Sequence, residues 1–258
     1  MITGLKSEFR KLLTVRSTYI LIALSIAYMI LFDFYVIGFK GGVHTEIIGG
    51  LRNPHFLIIG VTRAGGIAAP ILFSSIIAVL LMAHEYRYNT IMYTLTSSNS
   101  RSKTLIAKII AVSVFSIVFS VALMVLAPLL VLLGLHVHHL KLVHQTFYYR
   151  EYFSRILFFG WAYPLFGVLL AIYFRNIIAS ILALLLIPAT IEPLVGLLLN
   201  ANQQQYLPFT ALDAVLNNGL VKNGPGVISS GRSAITVMIY LIVGWAVAWY
   251  IFMKRDAS

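Results

Sequence analysis

Residues 84–103 read HEYRYNTIMYTLTSSNSRSK, and they separate two long oily stretches. On one side, residues 64–83 are apolar but for two serines; on the other, 105–135 are apolar but for Lys108 and a few serines. A transmembrane helix needs roughly 17–25 mostly apolar residues. Both flanks meet that, so the polar stretch reads as the connection between two membrane spans.

Working outward, the same test finds six spans: Ser17–Phe39, Ala64–Ala83, Leu105–Leu135, Ile156–Phe174, Ile177–Leu199 and Ala234–Met253. Most are apolar on all sides, as expected when lipid and neighbouring helices are the surroundings. Composition agrees. The chain has 258 residues, is 60% hydrophobic and has only 10% charged residues, against about 25% in a soluble domain; its mean hydropathy is +0.91. The fold class expected is an all-α integral membrane protein with one transmembrane domain over residues 1–258. Span three contains Pro128, which predicts a kink or a tilt. No internal repeat is evident, although two inverted three-span halves stay open.

With six spans both termini share a side. Lys6, Arg10, Lys11, Arg16, Arg87, Arg101, Lys103, Lys108, Arg175, Lys254 and Arg255 lie there, eleven of the 19 basic residues. That bias favours cytoplasmic termini and puts segment 84–103 in the cytoplasm. The net charge of +11 comes from residues at span ends, not from a patch on a folded domain. Membrane lipid is therefore the expected partner for it, and nucleic acid is not. The absence of cysteine excludes disulfides, thiol chemistry and Cys-based zinc sites. The first apolar block is too long for a secretory signal, and no small-x-small site follows it.

Before span one, Ile2, Leu5, Phe9, Leu12 and Leu13 recur at helical spacing, with Lys6, Ser7, Arg10, Lys11 and Thr14 on the other face. This predicts a short basic amphipathic helix over about 2–15 at the inner interface, or else a plain positive flank. Span one holds Asp33, which reaches the outer interface or has a functional role. Span five ends IPATIEPLVGLLLN, where Glu192 lies between two prolines in apolar surroundings. Glu192 is either a structural pairing partner or part of a translocation path. Residues 205–222 hold the run YLPFTALDAVL, too short to span; it predicts a helical element that lies on or dips into the outer leaflet.

Little here could do bond chemistry. No G-x-x-x-x-G-K-[ST], H-E-x-x-H or G-x-S-G occurs, which leaves no standard P-loop, zincin or rhomboid-type site. His136, His138, His139 and His144 invite a metal reading, but adjacent histidines diverge on a helix and no Cys or Asp completes a set. The ordinary reading is an interfacial aromatic and histidine-rich segment, with Phe147, Tyr148, Tyr149, Tyr152 and Phe153 as an outer aromatic belt.

The quoted stretch contains a short helix candidate from about Asn89 to Leu95, with Ile91, Met92 and Leu95 as an apolar face and charge around it. It is far longer than a connection has to be: the turn between spans four and five is only "RN". It reads as a dock for a soluble partner, or as an ordinary interfacial loop. The order of parts resembles the permease subunit of a type-2 ABC exporter. LKSEFRKLLTVRSTYILI is similar to that family's amphipathic start, HEYRYNTIMYTLTSSNSRSKTLIAKII to its coupling region, and YLPFTAL to its re-entrant element before span six.

The resemblance implies a transporter subunit that is not itself an enzyme. A separate ATPase subunit would bind ATP and magnesium, no cofactor would sit in this chain, and a second permease copy or paralogue would complete the pore. It implies ATPase contacts at Glu85, Tyr86, Arg87, Thr90, Ile91 and Leu95, and alternating-access efflux of a small hydrophobic or amphipathic compound such as a drug, antibiotic or antimicrobial peptide. The expected location is a prokaryotic plasma membrane. Two other readings stay open: a proton- or cation-coupled secondary transporter using Glu192 and Asp33, and a non-transporting membrane scaffold.

Overall fold

A computed structural model describes residues 2–37, 68–88, 101–137, 149–216 and 230–254, and all its regular elements among them are helical. Helix α1 covers Ile2–Thr14 and α2 Arg16–Ile37. Next come α3 (Ala68–Arg87), α4 (Arg101–Val137) and α5 (Tyr149–Phe174). The fifth apolar block divides into α6 (Ile177–Leu186), a π-helical turn (Ile187–Ile191) and α7 (Glu192–Leu198). Two short helices follow, α8 (Ala201–Gln204) and α9 (Pro208–Leu216), and α10 (Ser230–Lys254) ends the bundle.

Among the described residues five stretches are long and apolar enough to cross a membrane: Ala68–Arg87, Ser102–Ala127, Phe153–Phe174, Ile177–Leu198 and Ser230–Lys254. A sixth arises if Gly4–Thr14 and Arg16–Phe32 count as one span bent by 60°.

The structure adds detail to three of the spans. Among the described residues the second span's helix covers Ala68–Arg87 and runs past the expected end at Ala83, so Glu85, Tyr86 and Arg87 are helical rather than part of a free connection. The third continues as one helix through Pro128; at about 1.5 Å per residue its 37 residues exceed a bilayer core of about 30 Å, so one or both ends extend beyond it. The fifth stays one membrane-length stretch, Ile177–Leu198, with a π-helical turn at Pro188 between its two α-helical parts.

Helix α5 is the centre of the bundle. In its membrane window 72% of residues are buried in protein, against 17% for Ile177–Leu198. It packs most closely on α3, and next on α4. Small residues permit that approach. A Cβ placed on Gly160 would lie 1.9 Å from Ser120 Oγ on α4, and one on Gly167 would lie 3.0 Å from the Ser75 carbonyl oxygen on α3. Close backbone approach through Gly and Ser is how helices gain packing where lipid supplies no hydrophobic drive. Three of the buried serines return their hydroxyls to their own helices: Ser74 and Ser75 donate to the Ile71 carbonyl at 2.7 and 3.1 Å, and Ser116 to that of Val112 at 2.6 Å.

Gly160→Ala is therefore expected to lower the thermal stability of the purified chain. Overpacking costs about 1–3 kcal/mol and outweighs the roughly 1 kcal/mol by which alanine favours a helix over glycine. Adding Ser120→Gly, which opens the facing site, is expected to recover most of the loss. An unchanged melting temperature for the single variant would show that α4 and α5 are not in this contact.

The "RN" hairpin is explained residue by residue. Arg175 has φ 50° and closes α5 in the left-handed conformation common after a helix C-terminus. Asn176 then caps α6, its side-chain oxygen accepting from the N–H groups of Ile178 at 2.9 Å and Ala179 at 3.2 Å.

Candidate functional site

The quoted stretch is anchored by a ring of four charges, three of them buried and Lys11 half-buried at its edge. Glu8 comes from α1, on the same helical face as Leu5 and Leu12, and Lys11 is one turn later. Glu85 comes from the last turn of α3, and Lys108 from the second turn of α4. Lys11 Nζ lies 2.7 Å from Glu8 Oε1 and 2.6 Å from Glu85 Oε1. Lys108 Nζ lies 2.8 Å from Glu8 Oε2 and 2.7 Å from Glu85 Oε1. Positive and negative charges alternate around the ring, and every neighbour is a partner. Lys108 is 1% exposed. A lysine so enclosed stays charged only when carboxylates replace its water. Burial alone would lower the Lys11 pKa, but the hydrogen bonds it donates to Glu8 and Glu85, together with their charges, outweigh it and raise Lys11 above the ordinary lysine value.

The ring joins three elements separated in sequence. It fastens α1 to the bundle, and it holds both stems of the connection, the end of α3 and the start of α4. Next to Glu85, Tyr86 faces the other way: the Arg175 guanidinium lies 5.3 Å from its ring centroid. The last turn of α3 is thus held from two sides, by α1 and α4 through Glu85 and by the α5–α6 hairpin through Tyr86. Arg87 is exposed, with its guanidinium over the neighbouring Tyr88 ring at 5.7 Å.

The sequence-expected residues therefore separate. Glu85 and Tyr86 face into the protein and Arg87 faces out, while Thr90, Ile91 and Leu95 lie outside the described residues. The amphipathic expectation for α1 is also altered. Lys11 turns inward to the carboxylates and Leu13, expected on the apolar face, is exposed. Glu8, Lys11 and Lys108 were not singled out from the sequence as site residues. The signals were there: Glu8 is an acid on the apolar face of α1, and Lys108 is a cation inside TLIAKIIAV.

At the opposite end of the bundle Glu192 is buried and fully engaged. Its Oε1 accepts the Phe209 N–H at 2.8 Å, and its Oε2 accepts the Thr210 N–H at 2.6 Å and the Thr210 hydroxyl at 2.7 Å. These are first-turn amides of α9, which begins with Pro208, a residue lacking an N–H. The residue before it, Leu207, has no side-chain acceptor, so a carboxylate from another helix performs the cap. The π-helical turn of the fifth span delivers it. Pro188 removes the N–H that would bond the Leu184 carbonyl, and Tyr163 Oη on α5 donates there at 3.3 Å instead. The π-helical turn follows at once and ends at Glu192. The Phe209 ring then lies 5.4 Å from the Tyr163 ring and 5.1 Å from that of Phe166, which seats α9 on α5.

Asp33 falls in the last turns of α2, and its side chain lies outside the described residues, as do those of His138, His139 and His144. Among the described residues no group of three or more His, Cys, Asp or Glu stands together as metal ligands. The outer element expected over 205–222 is described to Leu216, as the helix α9.

The chain belongs to the family described as a protein of unknown function, DUF2705, whose match covers residues 20–258. No curated protein matches it.

Proposed function

We propose that this chain is the transmembrane permease subunit of an ATP-driven exporter of the type-2 ABC kind. One observation carries the reading: the charge ring of Glu8, Lys11, Glu85 and Lys108 fixes both stems of the connection that follows α3. A loop that only joins two spans does not need its ends bolted to three helices. A segment that receives force from a soluble partner does, because a loose stem would absorb the displacement. A push on residues 88–100 would reach α4 and α1 through Glu85, and the α5–α6 hairpin through Tyr86 and Arg175.

In this reading Arg87, Thr90, Ile91 and Leu95 meet the ATPase, while Glu85 and Tyr86 position the segment from behind. ATP and magnesium bind to the partner, a second permease copy or paralogue completes the pathway, and this chain performs no bond chemistry. The termini lie in the cytoplasm of a prokaryotic cell, α1 rests at the inner face of its plasma membrane, and α9 is the re-entrant element on the outer side. The cargo is a small hydrophobic or amphipathic compound.

The alternative built on a proton- or cation-binding Glu192 loses its main support, since three donors already occupy both carboxylate oxygens. A scaffold would use the same connection but carry no flux.

The test is purification of the tagged full chain from its native membrane, with identification of what accompanies it. A near-stoichiometric P-loop ATPase is expected, and it should be lost with Arg87→Glu/Ile91→Asp while the chain stays folded and inserted. Purification of the chain alone, even after crosslinking, would remove the exporter reading. Partner binding without substrate flux in vesicles would move it to a scaffold.

A further inference from the structure

We propose that the outward face of α1 and the start of α2 form a contact site for anionic lipid headgroups, built from Lys6, Arg10 and Arg16 with Leu13 and Tyr19 as its apolar anchors. The inference rests on the membrane-spanning helices and not on the exporter reading.

The inward face of α1 is already occupied. Glu8 and Leu12 are buried, and Leu5 and Phe9 pack against the core. Lipid contact through that face is therefore closed. The outward face is what remains: Lys6 and Arg10 one turn apart, both exposed, and Leu13, 58% exposed, one turn further. Among the described residues the ion pairs of this region are confined to the four ring residues, and no carboxylate pairs with Lys6, Arg10 or Arg16.

Position selects the partner. On α2, Arg16 shares a helical face with Ile20, Leu24 and Leu31, at steps of four, four and seven residues. Those three are 59%, 50% and 69% exposed, large aliphatics on the outside of a membrane helix. The stripe is apolar along its length and ends in a cation, which is the order hydrocarbon then headgroup. At that end α1 leaves at 60°, and the Tyr19 hydroxyl donates to the Leu13 carbonyl across the bend. Tyrosine at the boundary and basic side chains extending past it are the usual interfacial anchors. An acidic protein surface would match the charge equally well, but it would have to seat on Leu13 and Arg16, which continue the lipid-facing stripe. Continuity favours lipid.

Each basic residue near an anionic surface contributes about fivefold in affinity, so the three together are expected to give a preference of roughly a hundredfold. The test uses the full chain purified in a neutral detergent, offered equal amounts of phosphatidylglycerol and phosphatidylcholine, and read by native mass spectrometry. Phosphatidylglycerol should be retained over phosphatidylcholine by at least about tenfold. That ratio should approach one in Lys6→Gln/Arg10→Gln/Arg16→Gln and persist in Lys6→Arg/Arg10→Lys/Arg16→Lys. None of these substitutions touches the charge ring, so thermal unfolding of each variant checks that the fold is retained. An unchanged lipid ratio in the glutamine variant, or no preference in the wild type, overturns the proposal. So does a glutamine variant that keeps the lipid ratio but loses a soluble protein from native membranes, because the stripe would then belong to that protein.

Discussion

Replacing Lys108 by methionine is expected to destabilise the folded chain by about 3–5 kcal/mol, the range for removing one member of a buried ion pair. The methionine is nearly isosteric, so cavity formation adds little. The loss comes from what is left behind. Glu8 Oε2 and Glu85 Oε1 each lose a donor, at 2.8 and 2.7 Å, and two carboxylates then share the single ammonium of Lys11. Thermal unfolding in detergent, followed by size-exclusion profile, measures it.

The decisive variant is the double one. Lys108→Met/Glu85→Gln removes one charge of each sign and leaves the Lys11–Glu8 pair at 2.7 Å intact. It is expected to be more stable than Lys108→Met alone, with a coupling energy of about 1–3 kcal/mol. Reversing one edge is expected to fail: Glu85→Lys/Lys108→Glu would place lysine beside Lys11 and glutamate beside Glu8. Additive losses in the methionine and glutamine cycle would mean that the four residues are not a unit, and the mechanical argument for the connection would lose its basis.

The ring also shows where reading the sequence stops. Long apolar blocks reveal candidate spans because the bilayer imposes a length on every crossing segment, and Arg101–Val137 and Tyr149–Phe174 each form one long helix over such a block. Asn176 and the two-residue turn likewise announce a hairpin, because capping is local chemistry. The ring is not local. Glu8, Lys11, Glu85 and Lys108 come from three segments, and their charges are intelligible only once α1, α3 and α4 converge. In the sequence Glu85 looks like one member of a polar run available to a partner. In the fold the last turn of α3 carries it back inside. A charge that violates its own helix pattern, as Glu8 and Lys108 both do, was the available sign that another helix supplies the partner. Glu192 has the same history: its enclosure between Pro188 and Pro193 was legible, its use as the cap of a helix that begins sixteen residues later was not.

For Glu192 the cap and the ion-site interpretations give opposite results in one pair of variants. Glu192→Leu leaves the Phe209 N–H, the Thr210 N–H and the Thr210 hydroxyl without their acceptor. Each buried donor so stranded costs about 1–3 kcal/mol, which makes a loss of about 3 kcal/mol or more reasonable even with Thr210 only partly buried. Glu192→Gln should fall between leucine and wild type, since its amide oxygen can still accept from one side while its NH2 group faces a donor on the other. Hydrogen exchange locates the damage: the Phe209 and Thr210 amides should lose protection in the order leucine, then glutamine, and transport should decline in step with the folded fraction. A proton- or cation-binding carboxylate behaves differently. Glu192→Gln, which mimics the protonated side chain, would then abolish transport while stability and the exchange of α9 stay as in the wild type. Two backbone amides and a hydroxyl already take three of the about four lone-pair directions of this carboxylate, so an ion that drew its charge away would weaken the cap of α9, and the two losses are expected to go together.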